Sequence, residues 1–455
     1  MQMKIKKPRS KNFTGNDHSL NHINYQRHGR TTAIDDHSDL QVLRRIKRYL
    51  LPKDFTISPT LLAEIVDGYD IGDPLADSLA ADGIRFAKPL QQLILDDGLK
   101  NDSLKLSDFA DIKHPAFMAM TEQFSTHPDW FNPKLAEIGA IAYRRYPLML
   151  IWLLRNVALM AGYSIPALSL PLIQTGALMH DALPRLMRTY AYILAVSEHP
   201  QLNDSLQNKT PISQVLAIGS EGWRQSIKVR QIHTLVRQNL LKGKLTAADG
   251  IIKDSYQHHN ADGSWNSEYW GLPINQTDMI ATHLQFSLLI MRGLKLLGAR
   301  ISDKEAEGIL HLWNLASYWM GVDLQRLPQT EVACWEWLYT YLSIQQLDFE
   351  MGQPLAKALH DLPRQLMGKD NRKGRFVEMV NASVTRTLVG DDIGDGLDLP
   401  KSKIRFGVLS SVPILFALDT ARQYNSNVAE KLEQFRAKRQ DNMNWWLKKN
   451  DSYYK

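Results

Sequence analysis

Apolar residues recur at helical spacing along most of this chain, and alternation of period two is not sustained anywhere. Over 39–50 Leu40, Leu43, Ile46 and Leu50 repeat every three or four residues, which predicts an amphipathic helix. Ser58 followed by Pro59 is a helix-start signal for 58–69. Residues 132–162 read as two helices broken near Pro147, and 275–298 as one long, mostly apolar helix stopped by Gly298. Ser302 and Glu305 form a capping box opening a helix over 302–322, and further helices are predicted at 328–348 and 412–446. The stretches 198–211, 256–273 and 389–403 read as loops. Such a pattern predicts an all-α protein, built as one large helical domain over 39–447 behind a basic, disordered arm at 1–38.

Charge sharpens that division. Residues 1–53 hold 12 Lys and Arg against 4 Asp and Glu, whereas the remainder holds 42 against 44. The basic balance therefore belongs to the N-terminal stretch, and the body is not expected to bind nucleic acid specifically. The arm lacks the apolar segment of a secretory signal, and the longest apolar run, 147–173, is interrupted by Arg155, Pro166 and Pro171. These features predict a cytoplasmic protein without a transmembrane helix, with peripheral membrane contact left open. His18, His22, His28 and His37 are read as part of a solvated tail, with metal binding as the alternative. The lone cysteine, Cys334, excludes an intramolecular disulfide.

Three constellations could carry chemistry. In the stretch KVRQIHTLVR (228–237), Arg230, His233 and Arg237 share one helical face beside an apolar stripe of Val229, Ile232 and Val236. Like charges at that spacing repel unless an anion or a metal lies against them. A half-buried histidine with two surface arginines is the bland alternative. In PRLMRT (184–189), Arg185, Arg188 and Thr189 share a face that could hold an anion or donate to bound oxygen, or could simply be solvated. Asp278, Thr282 and Phe286, four residues apart, could line a pocket, or serve capping and packing, with Thr282 bonded back to the carbonyl four residues earlier. No nucleophile elbow, phosphate loop or zinc-protease motif is present, and GDDIGDG lacks the spacing of a dinucleotide fingerprint.

Taken in order, 184–189, 222–240, 275–322 and 385–400 resemble the family of latex-clearing proteins (rubber oxygenases) and ER-bound oxygenases, over roughly 140–420. The matching features are R-L-x-[KR]-T, V-R-x-x-H-x-x-V-R, D-x-x-x-T-x-x-x-F, and a C-terminal segment with Arg386, Gly390, Leu397 and Pro400. The resemblance implies an all-α fold with a globin-like core and a haem b cofactor. His233 would be the iron ligand, Arg230 and Arg237 would lie near the propionates, and Arg185, Arg188 and Thr189 would sit on the distal side as catalytic residues. The implied activity is a haem-dependent oxygenase using O2 to oxidise or cleave C=C bonds of a hydrophobic, isoprenoid or lipid-like small molecule. The rubber-cleaving members carry a lysine where Arg188 stands, and a guanidinium cannot replace it as an iron ligand. They also use an upstream glutamate as a base; between Ala161 and Leu183 this chain offers only His180 and Asp181. Two alternatives remain: a non-catalytic haem sensor or carrier, and a cofactor-free helical interaction protein with a basic arm.

Overall fold

The computed structural model describes residues 28–34, 40–95, 113–174, 182–198, 215–243, 264–368 and 370–432, with a few positions beyond. The described residues are helical throughout, and their only β-type pairing is an isolated bridge between Thr31 and Gln345. The predicted helix starts are present with the expected chemistry. Ser58 Oγ accepts from the Leu61 amide ahead of α2 (Pro59–Asp67). Ser302 and Glu305 close a reciprocal capping box at α15 (Asp303–Trp319). The same Glu305 pairs with Arg145, tying that cap to the end of α6 (Pro133–Tyr143).

The centre of the molecule is built on close helix approach. In α6 and α15, Gly139 and Gly308 face each other so closely that a Cβ on Gly139 would lie 2.1 Å from the Gly308 carbonyl carbon. Only glycine lets those two backbones meet. Trp313 and Trp319 on α15 are fully buried beside this crossing. Burying side chains of this size supplies much of the driving force for packing.

Two long helices carry a widened turn. Pro147 starts α7 (Pro147–Leu153), which passes through a π turn at Leu154–Ala158 into α8 (Leu159–Tyr163). Arg155, the charge within the apolar run, is buried in that turn and donates to the carbonyls of Leu359 and His360. Likewise α13 (Gln276–Leu284) passes through a π turn at Gln285–Leu289 into α14 (Ile290–Leu296), followed by Gly298 at φ +100°. Among the described residues no single helix is long and apolar enough to cross a membrane. The bent pair Pro133–Tyr143 and Pro147–Tyr163, at 83°, could do so by length and composition only.

Several boundaries differ from the sequence reading: the helix expected over 412–446 runs over Arg405–Tyr424 and stops at Asn425, and the stretch 256–273, read as a loop, contains the short helix Ser267–Trp270. Residues 28–34, assigned to the arm, are seated on the core. Arg30 is buried, lies 3.5 Å over the Tyr69 ring and pairs with Asp278 at 3.0 Å, while Thr32 and Gln346 donate backbone hydrogen bonds to Ile344 and Arg30. His28 is buried there too, 3.3 Å from Asp70. In addition, the 389–403 loop contains the short helix α20 (Asp391–Gly396), held by Arg386 to Asp395 at 2.7 Å. The 198–211 loop from residue 199 on, and the 256–263 part of the next loop with His258 and His259, lie outside the described residues, as do His18, His22 and His37.

Candidate functional site

The KVRQIHTLVR stretch lies in α11 (Glu221–Leu241), capped by Ser220, whose hydroxyl accepts from the Trp223 amide. Its two arginines turn out to be internal. Arg230 forms a fork with Asp73, Nε to Oδ2 at 2.6 Å and Nη2 to Oδ1 at 2.9 Å, and both residues are 3% exposed. Its remaining nitrogen, Nη1, donates to Gln123 Oε1 at 2.8 Å. Arg237 pairs with Asp77 at 2.6 Å and donates to the carbonyls of Pro273 and Ile274. Burial raises the Asp77 carboxyl, and Arg237 opposes that shift.

The two carboxylates come from the start of α3 (Pro74–Ala81). Asp73 is its N-cap, accepting from the Ala76 amide, and Asp77 follows one turn later. Gly321, at φ +91°, leaves room for the first pair, since a Cβ there would sit 2.2 Å from Asp73 Oδ2. The anion facing the cationic stripe is therefore a pair of aspartates of the chain itself. Ile232, expected on the buried stripe, is instead 54% exposed, whereas Val229 and Val236 pack against the core. The helix presents its arginines inward, so its polar and apolar faces are rotated from the simple amphipathic reading.

His233 differs from its neighbours. It makes no hydrogen bond, and its Nδ1 is buried without a partner. The side chain retains some accessible surface, yet burial pushes its pKa down to about 4, with Arg237 and Arg185 adding to the effect and Asp73 opposing it. The ring is strongly desolvated without being fully sealed from solvent. The imidazole is thus neutral at physiological pH with its lone pair uncommitted, the state that ligates a metal.

Arg185 reaches the same region from α10 (Ala182–Val196), which packs on α11. Its guanidinium has no hydrogen-bond or ion-pair partner among the described residues, and burial lowers its pKa. The largest counter-effect comes from Tyr163, at the end of α8, whose buried hydroxyl is likewise unpartnered and whose pKa burial raises. His233, Arg185 and Tyr163 are therefore three desolvated polar groups, linked through the field of Arg185, without a hydrogen-bond partner among the described residues. Buried polar groups are ordinarily satisfied, so such a set is what a ligand-binding site looks like. Arg188 and Thr189 are placed differently. Arg188 is exposed, and the Thr189 hydroxyl donates to the Arg185 carbonyl at 3.1 Å. His180 and Asp181 lie outside the described residues.

The third constellation is structural. Asp278 is buried and accepts from Arg30, Asn275 and Tyr341, and Thr282 donates back to the Asp278 carbonyl at 2.9 Å. Phe286 lies against Trp313. No cluster of three or more His, Cys, Asp or Glu able to hold a bare metal ion occurs among the described residues.

Comparison with known proteins places this geometry in a family. The family described as "ER-bound oxygenase mpaB/B'/Rubber oxygenase, catalytic domain" matches residues 143–410, more than half of the chain and a span that includes Tyr163, Arg185 and His233. The chain belongs to that family. A curated relative, the rubber oxygenase of Streptomyces sp. (strain K30), is 24% identical over 204 residues, which is 42% of this chain and 42% of the relative. A solved structure of latex clearing protein LCP in the closed state superposes with a TM-score of 0.53 at 19% identity, covering 82% of this chain and 91% of that one. At that identity the superposition supports the all-α fold. The family members' functional segments would not have led to Asp73, Asp77 or Tyr163; the first two carry a sequence signal of their own, an Asp-Pro cap followed by a second acid one turn on.

Proposed function

We propose that this chain is a haem-b-dependent oxygenase that uses O2 to oxidise or cleave C=C bonds of an isoprenoid or other lipid-like substrate. The observation that carries the reading is His233: a desolvated, neutral imidazole without a hydrogen bond, in the field of an unpaired arginine. Those residues fit the group. A neutral imidazole would hold the iron of such a group, and an unpaired guanidinium would suit a carboxylate such as a propionate. Haem, when bound, supplies the iron on which dioxygen is activated.

Each residue's part then follows from its surroundings. His233 would hold the cofactor. Arg230 and Arg237, engaged by Asp73 and Asp77, would fix the helix that aims it. Arg185 would supply positive charge, and the Tyr163 hydroxyl a hydrogen-bond donor. The resemblance also assigns Arg188 and Thr189 to the distal side. With Arg188 exposed and the Thr189 proton on a backbone carbonyl, Arg185 is the member of that motif free to act.

The test is the spectrum of the protein expressed with haem precursor. The wild-type chain should show a Soret band that shifts with dithionite and with carbon monoxide, and His233→Ala should lose most of it. Full haem occupancy in the variant would overturn the assignment. Oxygen uptake with candidate alkenes separates an oxygenase from a haem carrier, which would consume none.

A further inference from the structure

One cavity of the structure has a lining that does not include His233. It spans about 300 Å3 and is bounded by α1 (Gln41–Tyr49), the π turn after α7, α8, α13, α14, α16 (Glu331–Ser343) and α19 (Arg372–Leu388). Its walls are mainly aliphatic and aromatic, with Val157, Ile165, Leu289, Trp335 and Leu338 among them. Two cations interrupt the apolar lining, Arg45 and Arg292, and among the described residues no carboxylate lines the space.

Neither cation is neutralised by an ion pair among the described residues. Arg45 Nη1 donates to the Thr387 carbonyl at 2.8 Å, a neutral acceptor. Arg292 is half-buried and makes no hydrogen bond; the nearest acid acting on it, Glu331, is bonded to Lys295 at 2.9 Å. Burial lowers the Arg292 pKa, as expected for a charge held against apolar walls. Arg45 and Tyr49, and Arg292 and Leu296, are each one helical turn apart. Tyr49 and Leu296, which also line the space, are 64% and 39% exposed, so this part of the lining reaches the surface.

An apolar chamber lined by cations and by no described carboxylate is complementary to an anionic amphiphile. We propose that this cavity binds a single-chain anionic amphiphile, its tail against the apolar lining and its head on Arg292. Guanidinium forks suit both carboxylate and phosphate heads. The volume lies at the lower end of the range for small-molecule pockets, roughly 300–1,000 Å3, which favours one tail. The lining includes neither His233 nor Arg185, so the proposal stands independently of the haem reading.

Isothermal titration of the purified full chain with dodecanoate, dodecyl phosphate, dodecanol and inorganic phosphate tests it. The two anionic amphiphiles should bind one to one and at least tenfold more tightly than dodecanol, and inorganic phosphate should not bind measurably. Arg292→Met should remove that preference without weakening dodecanol, whereas Arg292→Lys should keep part of it. Thermal melts of both variants confirm that the fold is intact. Equal affinity for dodecanol and dodecanoate, unchanged dodecanoate binding in Arg292→Met, or phosphate binding as tight as dodecyl phosphate would each overturn the proposal.

Discussion

Two adjacent helices carry arginine at helical spacing, yet the arginines live in different electrostatic worlds. On α11, Arg230 and Arg237 are locked to Asp73 and Asp77 by short hydrogen bonds at 3% and 1% exposure. On α10, Arg185 is desolvated but meets no acceptor among the described residues. The first arrangement stabilises a helix orientation; the second leaves charge available to a ligand. Spacing along a helix shows that cations share a face, but what lies opposite them decides whether that face is architecture or site. His233 inherits rigidity from the first and feels the unpaired charge of the second.

The largest effect should come from breaking the locked side. Arg230→Met strands the Asp73 carboxylate in the interior, and losing one partner of a buried pair costs about 3–5 kcal/mol. Urea denaturation should show a loss of that size. Adding Asp73→Asn should recover part of it, because the stranded charge is gone while an amide at that position can still cap α3. A double variant as unstable as the sum of the two single ones would mean that the fork is not coupled in the way its geometry indicates.

Acid should come next. His233 and His283 have pKa values lowered by burial to about 4 and about 3. Both are neutral in the folded chain, while in the unfolded chain each protonates near its ordinary value of about 6.5. As pH falls below 6.5 the unfolded state takes up protons that the folded state refuses, so stability is lost down to about pH 4. For His233 the loss is on the order of 3 kcal/mol. His233→Gln should flatten that part of the stability–pH curve; an unchanged slope would mean that the imidazole is not desolvated. Haem retention, which needs the neutral ring, should persist to about pH 5.

Much of the scaffold was legible because its signals are local. The Ser302–Glu305 box, the Ser58–Pro59 start, the break at Pro147 and the Gly298 stop each work through atoms within one turn. His233 could be singled out for the same reason, by its place between two arginines. The partners could not be. Asp73 lies 157 residues from Arg230, and nothing local links them. The seating of Arg30 on Tyr69 and Asp278 was hidden in the same way, by a basic composition that reads as a solvated arm. The exposure of Ile232 shows the converse error: with the arginines neutralised inside, one member of the apolar stripe of α11 is left outward while Val229 and Val236 still pack on the core.

The smallest expected effect on stability tests the open side of the comparison. Arg185 makes no hydrogen bond or ion pair among the described residues, so Arg185→Met removes a desolvation cost and no attractive partner. In haem-free protein the change in unfolding free energy should stay within about 0.5 kcal/mol, the range of substitutions that break nothing. Haem affinity should nevertheless fall, by about tenfold for the loss of one charge-assisted contact worth roughly 1.5 kcal/mol. Neutral stability with weakened haem binding is the signature of a residue kept for a ligand. A variant destabilised as severely as Arg230→Met would instead place Arg185 with the locked arginines of α11, and the distinction between the two helices would collapse.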